Sequence, residues 1–286
     1  MAAVVALAGC AGQFAQACWT GISYVAMGPG KAVGVVDLSA GRLVGKLPLS
    51  VEAHGVALVA GGTRLVAADL TKGDALEVLD ATMGKDVGWI PVGKGAHHLK
   101  VSPDGRWLYV TRSEAGRVAV VDVRAMSVVG DIETGAGANS VIFSPDGRFA
   151  YVSNLEANTV AVIEVATSRV MERIPVRQGP GHVAISPDGR RLYVADEGSG
   201  TLAALDLARG EVAGTVRVGN QPHGVALSLD GARAYVSSHE DGTVSAVDTG
   251  TMRVLQTVNV GSEPEHVEIT PDGRWIVVAR PEAGSW

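Results

Sequence analysis

The sequence predicts an all-β propeller, and three observations predict it. A motif recurs at 42-residue intervals: Ser102-Pro103-Asp104-Gly105, Ser144-Pro145-Asp146-Gly147, Ser186-Pro187-Asp188-Gly189, Ser228-Leu229-Asp230-Gly231 and Thr270-Pro271-Asp272-Gly273. A weaker copy, Ala60-Gly61-Gly62-Thr63, sits one period earlier; fixed self-similarity of this length signals a repeat architecture. Between copies the chain is a series of short runs rich in Val, Leu, Ile, Tyr and Thr, each bounded by Gly, Pro or Asp, as strands are. No segment keeps a 3.6-residue apolar period long enough for a domain helix.

Residues 181–219 illustrate one repeat. His182 to Ser186 is the first strand, and Ser-Pro-Asp-Gly turns it. Pro suits the second position of a type I turn, and Gly accepts the positive φ that closes it. Leu192-Tyr193-Val194 is the second strand, Thr201 to Leu205 the third, ending at Asp206, and Val212 to Val218 the fourth. Four antiparallel strands in about forty residues make a propeller blade. The second strand recurs around Tyr24, Val66, Tyr109, Tyr151, Tyr193, Tyr235 and Val277, whereas the others count six each. The expectation is therefore seven blades, some incomplete, or six with closure by N- and C-terminal strands, which removes exposed edges.

At 286 residues and 47% hydrophobic, the chain can bury a large core, and residues 18–286 read as a single propeller domain. The net charge of −6, with no Lys/Arg cluster, argues against nucleic-acid or anionic-membrane partners. Residues 1–17 stand outside the repeat. Leu7-Ala8-Gly9-Cys10 has the form of a lipoprotein lipobox with Cys10 as the lipidated residue, and Ala15-Gln16-Ala17 is an alternative cleavage site. Either implies export, to the periplasm or beyond, with or without a lipid anchor; a disordered apolar tail is the other reading. No other apolar run reaches membrane-spanning length. The two cysteines are Cys10 in this region and Cys18 at its border, so no disulfide or haem-attachment motif falls inside the repeats.

Comparing the copies sorts the polar residues. In an antiparallel blade, the start of the first strand and the end of the second share one face, opposite the Ser-Pro-Asp-Gly turn. The first slot holds His54, His97-His98, Asn139-Ser140, Gly181-His182, His223-Gly224 and Glu265-His266, hence six of the seven histidines. The second holds Arg112, Asn154, Asp196, Ser238 and Arg280, followed by loop residues Glu114, Glu156, Glu197, His239 and Glu240. The expected ligand-binding set at the channel mouth is His54, His97, His98, His182, His223, His266, Arg112, Asn154, Asp196 and Arg280. Neutral imidazoles ligate zinc, copper or iron, so a divalent metal or haem is the candidate cofactor, with His98, His182, His223 and His266 as candidate ligands. The structural alternative is that these histidines hydrogen-bond a neighbouring blade. The acid closing each third strand (Asp37, Asp80, Asp122, Glu164, Asp206, Asp248) reads as a turn acceptor. No nucleophile elbow or phosphate loop is present in the sequence, and no catalytic residue is assigned.

The motifs YVTR at 109–112, YVSN at 151–154, YVAD at 193–196 and YVSS at 235–238, with the Ser-Pro-Asp-Gly turns, resemble the YVTN-type β-propeller repeat family over residues 20 to 282. More distantly, the chain is similar to the haem-binding propeller of nitrite reductases and to propeller lactonases. The resemblance implies an exported, monomeric binding or scaffold protein that holds a partner protein, peptide or small ligand on the histidine-bearing face. A metal- or haem-associated periplasmic redox accessory and a lactonase- or lyase-type enzyme are the alternatives. Fold follows from such a resemblance far better than function.

Overall fold

In a computed structural model, residues 5–7 (backbone alone), 21–27, 30–38, 40, 42–69 and 73–280 are described. Cys10, Cys18 and the leader boundary at residue 17 lie outside the described residues. Six antiparallel sheets of four strands follow one another along the chain, and a seventh of two strands completes the series. The first blade spans residues 5–48, the second 53–91, the third 96–133, the fourth 138–175, the fifth 180–217, the sixth 222–259 and the seventh 267–278. In the first blade, Val5–Leu7 pairs with Ile22–Ala26 as the innermost strand. This backbone stretch belongs to the residues that the sequence places outside the repeat, and it raises the count of inner strands to seven.

The ring is held by side chains between sheets. Each hydrophobic cluster draws on two adjacent blades: Leu65 and Leu79 meet Ala26 and Val33, Leu108 and Val110 meet Leu76 and Ile90, and Leu192 and Leu205 meet Ile174. The seventh sheet shares no strand with the first. Val25 and Val36 of the first blade pack instead on Ala279, with Val277, Leu38 and Leu43 beside them. Of the two sequence expectations, the seven-blade form is the one found among the described residues.

The turn face is a repeated scaffold. Ser186 Oγ donates to Asp188 Oδ1 at 2.6 Å, the same carboxylate oxygen accepts from the Arg190 N–H, and Ser186 Oγ accepts from the Arg191 N–H at 2.9 Å. The same circuit recurs around Asp104, Asp146, Asp230 and Asp272, with Thr270 replacing Ser in the last. Successive turns also touch. A methyl on Gly231 would lie 2.7 Å from Pro187 Cδ, one on Gly189 3.3 Å from Pro145 Cδ, and one on Gly147 3.7 Å from Pro103 Cδ. The acids at the third-strand ends accept backbone N–H groups two and three residues on, as at Asp122 and Asp206.

This packing yields a paired test. Gly231→Ala and Gly105→Ala both place alanine at positive φ (+71° and +72°), but nothing lies within 4 Å of the Gly105 position. Gly105→Ala should cost about 1 kcal/mol from the left-handed backbone alone. Gly231→Ala should cost about 1–3 kcal/mol more through overpacking on Pro187. Denaturant midpoints of the two variants measure the difference; equal midpoints would deny that the turns pack on one another.

Candidate functional site

The opposite end of the channel owes its geometry to a repeated irregularity. In the second to sixth blades, the inner strand carries one more residue than its neighbour, between Ala53 and Val56, Ala96 and Leu99, Ala138 and Val141, Pro180 and Val183, and Pro222 and Val225. Such a bulge bends the strand and re-aims its side chains. The two bulged residues are the sequence slot itself: His54-Gly55, His97-His98, Asn139-Ser140, Gly181-His182 and His223-Gly224. In the seventh blade Glu265 and His266 take the equivalent place, tied to Ala279 by two backbone bonds.

Large and small residues alternate at the second slot position: Gly55, His98, Ser140, His182, Gly224, His266. A methyl on Gly224 would lie 2.5 Å from Glu265 O and 2.8 Å from Val267 N, and one on Gly55 3.0 Å from Leu99 Cδ2. Glycine lets adjacent inner strands close up, and imidazoles from alternate blades fill the space. Six rings form one contact network. His54 stacks on His97 at 4.3 Å and reaches His266 at 5.6 Å. His182 meets His98, His223 and His266 at 5.1, 4.8 and 4.4 Å. His223 and His266 lie 5.1 Å apart.

The rings divide by hydrogen bonding. Nδ1 of His54, His97 and His223 faces the main-chain O of His97, Asn139 and Glu265 at 3.3–3.4 Å. Each therefore donates from Nδ1 to the next occupied slot and keeps the Nε2 lone pair. His98 is the opposite case: its Nδ1 accepts from the Val141 N–H at 3.4 Å. Nε2 of His182 and of His266 is buried with no partner, as is Oε2 of Glu265. Burial first, then neighbouring imidazoles, keeps His54, His182 and His266 neutral, well below the ordinary value of 6.5. Burial also lowers His97, brings His98 to about 3 with help from Lys100, and brings His223 to about 4.

Hydroxyls link the bulges. Thr111 Oγ1 accepts from the His98 N–H and donates to Asn139 O at 2.6 Å. Ser153 does the same between Ser140 and Gly181, and Ser237 between Gly224 and Glu265. Sequence reasoning missed these three. Their signal was the third residue of the Tyr-Val motif, Thr or Ser in three copies and Ala195 in the fourth.

The expected second-strand residues do not join the imidazoles. Arg112 pairs with Asp131. Asn154 donates to Thr134 O and Thr159 Oγ1, Asp196 accepts from Thr201 Oγ1 at 3.3 Å, and the Arg280 guanidinium lies against Gly261. They line seams between and within blades. Two carboxyls do stand near the rings. Glu197 Oε1 is 4.0 Å from His223 Nε2, and burial raises both Glu197 and Glu265 to about 7, with Glu265 a secondary cause for Glu197. Behind the imidazoles a cavity of about 270 Å³ continues down the channel, walled by Val183, Val225, Ile269, Lys100 and Glu268. Clefts that hold drug-sized organic ligands measure roughly 300–1,000 Å³, and this cavity falls just below that range.

Fold and site together define a seven-sheet propeller with a histidine-lined channel end. Residues 50–216, more than half of the chain, match the family model described as "Lactonase, 7-bladed beta-propeller", and the chain belongs to that family. Among solved structures it is similar to Kuenenia stuttgartiensis hydrazine synthase, with a TM-score of 0.81 and 22% identity over 90% of this chain and 89% of that one; at this identity the likeness shows the fold. No curated protein matches the sequence. Among the described residues, no helix is long and apolar enough to cross a membrane.

The imidazoles set a pH dependence. A histidine whose folded value lies below its unfolded one takes its proton only on unfolding, so its contribution is present above pH 6.5 and lost as pH falls. The raised carboxyls of Asp196, Glu197 and Glu265, each near 7, and of Glu77 and Glu268 act in the opposite sense, their contribution being lost as pH rises. Six imidazoles, three held well below 6.5 and two at about 3 and 4, outweigh five carboxyls. Denaturant midpoints should fall as pH drops from 6.5 to 4; midpoints that stay level or rise would contradict the neutral network.

Proposed function

We propose that this protein is an exported, YVTN-type binding propeller that receives a partner or small ligand on its histidine-lined end and does not turn it over. One observation carries the reading: six imidazoles contributed by five blades converge in a single ring-contact network. Aliphatic side chains would fill the same space, whereas buried polar groups left unpartnered destabilise a core by about 1–3 kcal/mol each. A bound ligand offsets that cost. A groove of about 540 Å³ on the same end, lined by Gln221, His239, Glu240, Asp241, Asn259 and Glu263, offers an acidic rim for such a ligand or partner. The lipobox-like Leu7-Ala8-Gly9-Cys10 supports export; cleavage before Cys10 would remove the Val5–Leu7 strand and leave the first blade with its three outer strands.

A lactone hydrolase is the second reading. It is favoured by the family and by Glu197, whose carboxyl near 7 beside His223 suits a general base.

The two separate in one experiment. Wild-type and Glu240→Lys protein are used to capture ligands from extracts of the native source, and wild-type and Glu197→Gln protein are assayed for acid release from five- and six-membered lactones. The binding reading expects capture that weakens about 10-fold in Glu240→Lys and no lactone opening. Lactone opening that falls in Glu197→Gln would establish the hydrolase instead.

A further inference from the structure

The imidazole network has a centre that hydrogen bonding leaves incomplete. Ligand atoms of His182, His223 and His266, from three successive blades, all lie within 4.8 Å of one another. A second trio, His54, Glu265 and His266, meets the same criterion and shares His266. His54, His182 and His266 are 6%, 7% and 4% exposed, so the unpartnered nitrogens of His182 and His266 have little water to turn to. The Glu265 Oε2 beside them is also buried and unpartnered.

The neighbouring bonds prepare the same atoms. His223 Nδ1 is held by Glu265 O, and His54 Nδ1 by His97 O, which orients both rings and leaves Nε2 for ligation. His98, whose Nδ1 lone pair is taken by Val141, belongs to neither trio. Several imidazoles with one carboxylate suit zinc, copper, nickel or cobalt; calcium and magnesium require oxygen ligands. Zinc–nitrogen bonds of about 2.0–2.1 Å place tetrahedral ligands roughly 3.4 Å apart, so the rings need to close by about an ångström.

We propose that His182, His223 and His266, with Glu265 and His54 beside them, bind one divalent transition-metal ion of the zinc or copper class at the channel end. The proposal rests on the binding reading above and names a ligand for it. The ion would join the fifth, sixth and seventh blades, with the second in reach through His54. It would thus clamp the region where the ring closes by packing alone.

Metal-stripped protein is titrated calorimetrically with zinc chloride and, separately, with calcium chloride; cobalt(II) absorption reports inner-sphere nitrogen ligation. The expected result is one zinc per chain with a dissociation constant below about 1 µM, no calcium binding, and a cobalt d–d spectrum. His266→Gln should weaken zinc at least about 100-fold and His223→Gln at least about 10-fold, while His98→Gln stays within about 3-fold. His223 is half-buried, so that variant carries the test if His266→Gln does not fold. Wild-type protein that binds zinc no tighter than about 10 µM, or equal losses in His98→Gln and His223→Gln, would overturn the proposal. Repeating the capture assay with and without zinc separates the two claims. Capture by a protein that binds no zinc overturns the metal site alone. Zinc binding with capture unchanged in Glu240→Lys overturns the binding reading alone.

Discussion

The close approach of the inner strands at one end of the channel is the constraint on which the rest of the molecule depends. Around Gly224 the backbones of the sixth and seventh blades leave no room for a methyl group, and around Gly55 the fit is almost as tight. Blades packed so closely cannot all present a large residue to the axis. The alternation of His98, His182 and His266 with Gly55, Ser140 and Gly224 meets that limit, with one bulge per inner strand directing each pair of side chains. The imidazoles then have each other and backbone carbonyls as surroundings in place of water. Desolvation keeps them neutral, and neutrality preserves the lone pairs that make the cluster able to hold a ligand.

The two ends of the propeller meet the crowding differently. At the turn end, Pro187 against Gly231 and Pro145 against Gly189 stack one blade's turn on the next, and the turns of the third to seventh blades each carry a hydroxyl–aspartate circuit. Those circuits satisfy their own polar groups. At the histidine end, Thr111, Ser153 and Ser237 join successive bulges, while His182, His266 and Glu265 retain unpartnered atoms. Glu265 and His266 belong to the seventh blade, whose seam with the first is the small cluster of Val25, Val36 and Ala279. A ligand at this end would bear on ring closure as well as on recognition.

The fold was legible because turn chemistry is local. Ser-Pro-Asp-Gly needs its residues at fixed offsets, and 42-residue spacing converts one turn into an architecture. The histidine ring was legible for the same reason, since six of seven histidines fall in a single slot. What escaped depends on partners in other blades. Ser153 and Ser237 bond to carbonyls 28 residues further on, in the next blade, so nothing in their local sequence announces the contact. Arg112, Asn154 and Asp196 share a face with the histidines by strand alternation. The bulge, however, turns the inner strand towards the axis while their own strand faces the seams. His98 looked equivalent to His182 as a ligand; its bond to Val141 N–H, visible only in three dimensions, sets it apart.

The central claim is that crowding produces one desolvated, neutral imidazole network, and histidine ring nitrogen NMR tests it most directly. With uniformly labelled protein at pH 5.5, the account predicts that the rings of His54, His98, His182, His223 and His266 remain neutral, and that His97 titrates below its ordinary value of 6.5. It further predicts protonated Nδ1 in His54, His97 and His223, and protonated Nε2 in His98. Imidazolium signals at pH 5.5 from His54, His98, His182, His223 or His266, with the protein still folded, would contradict it.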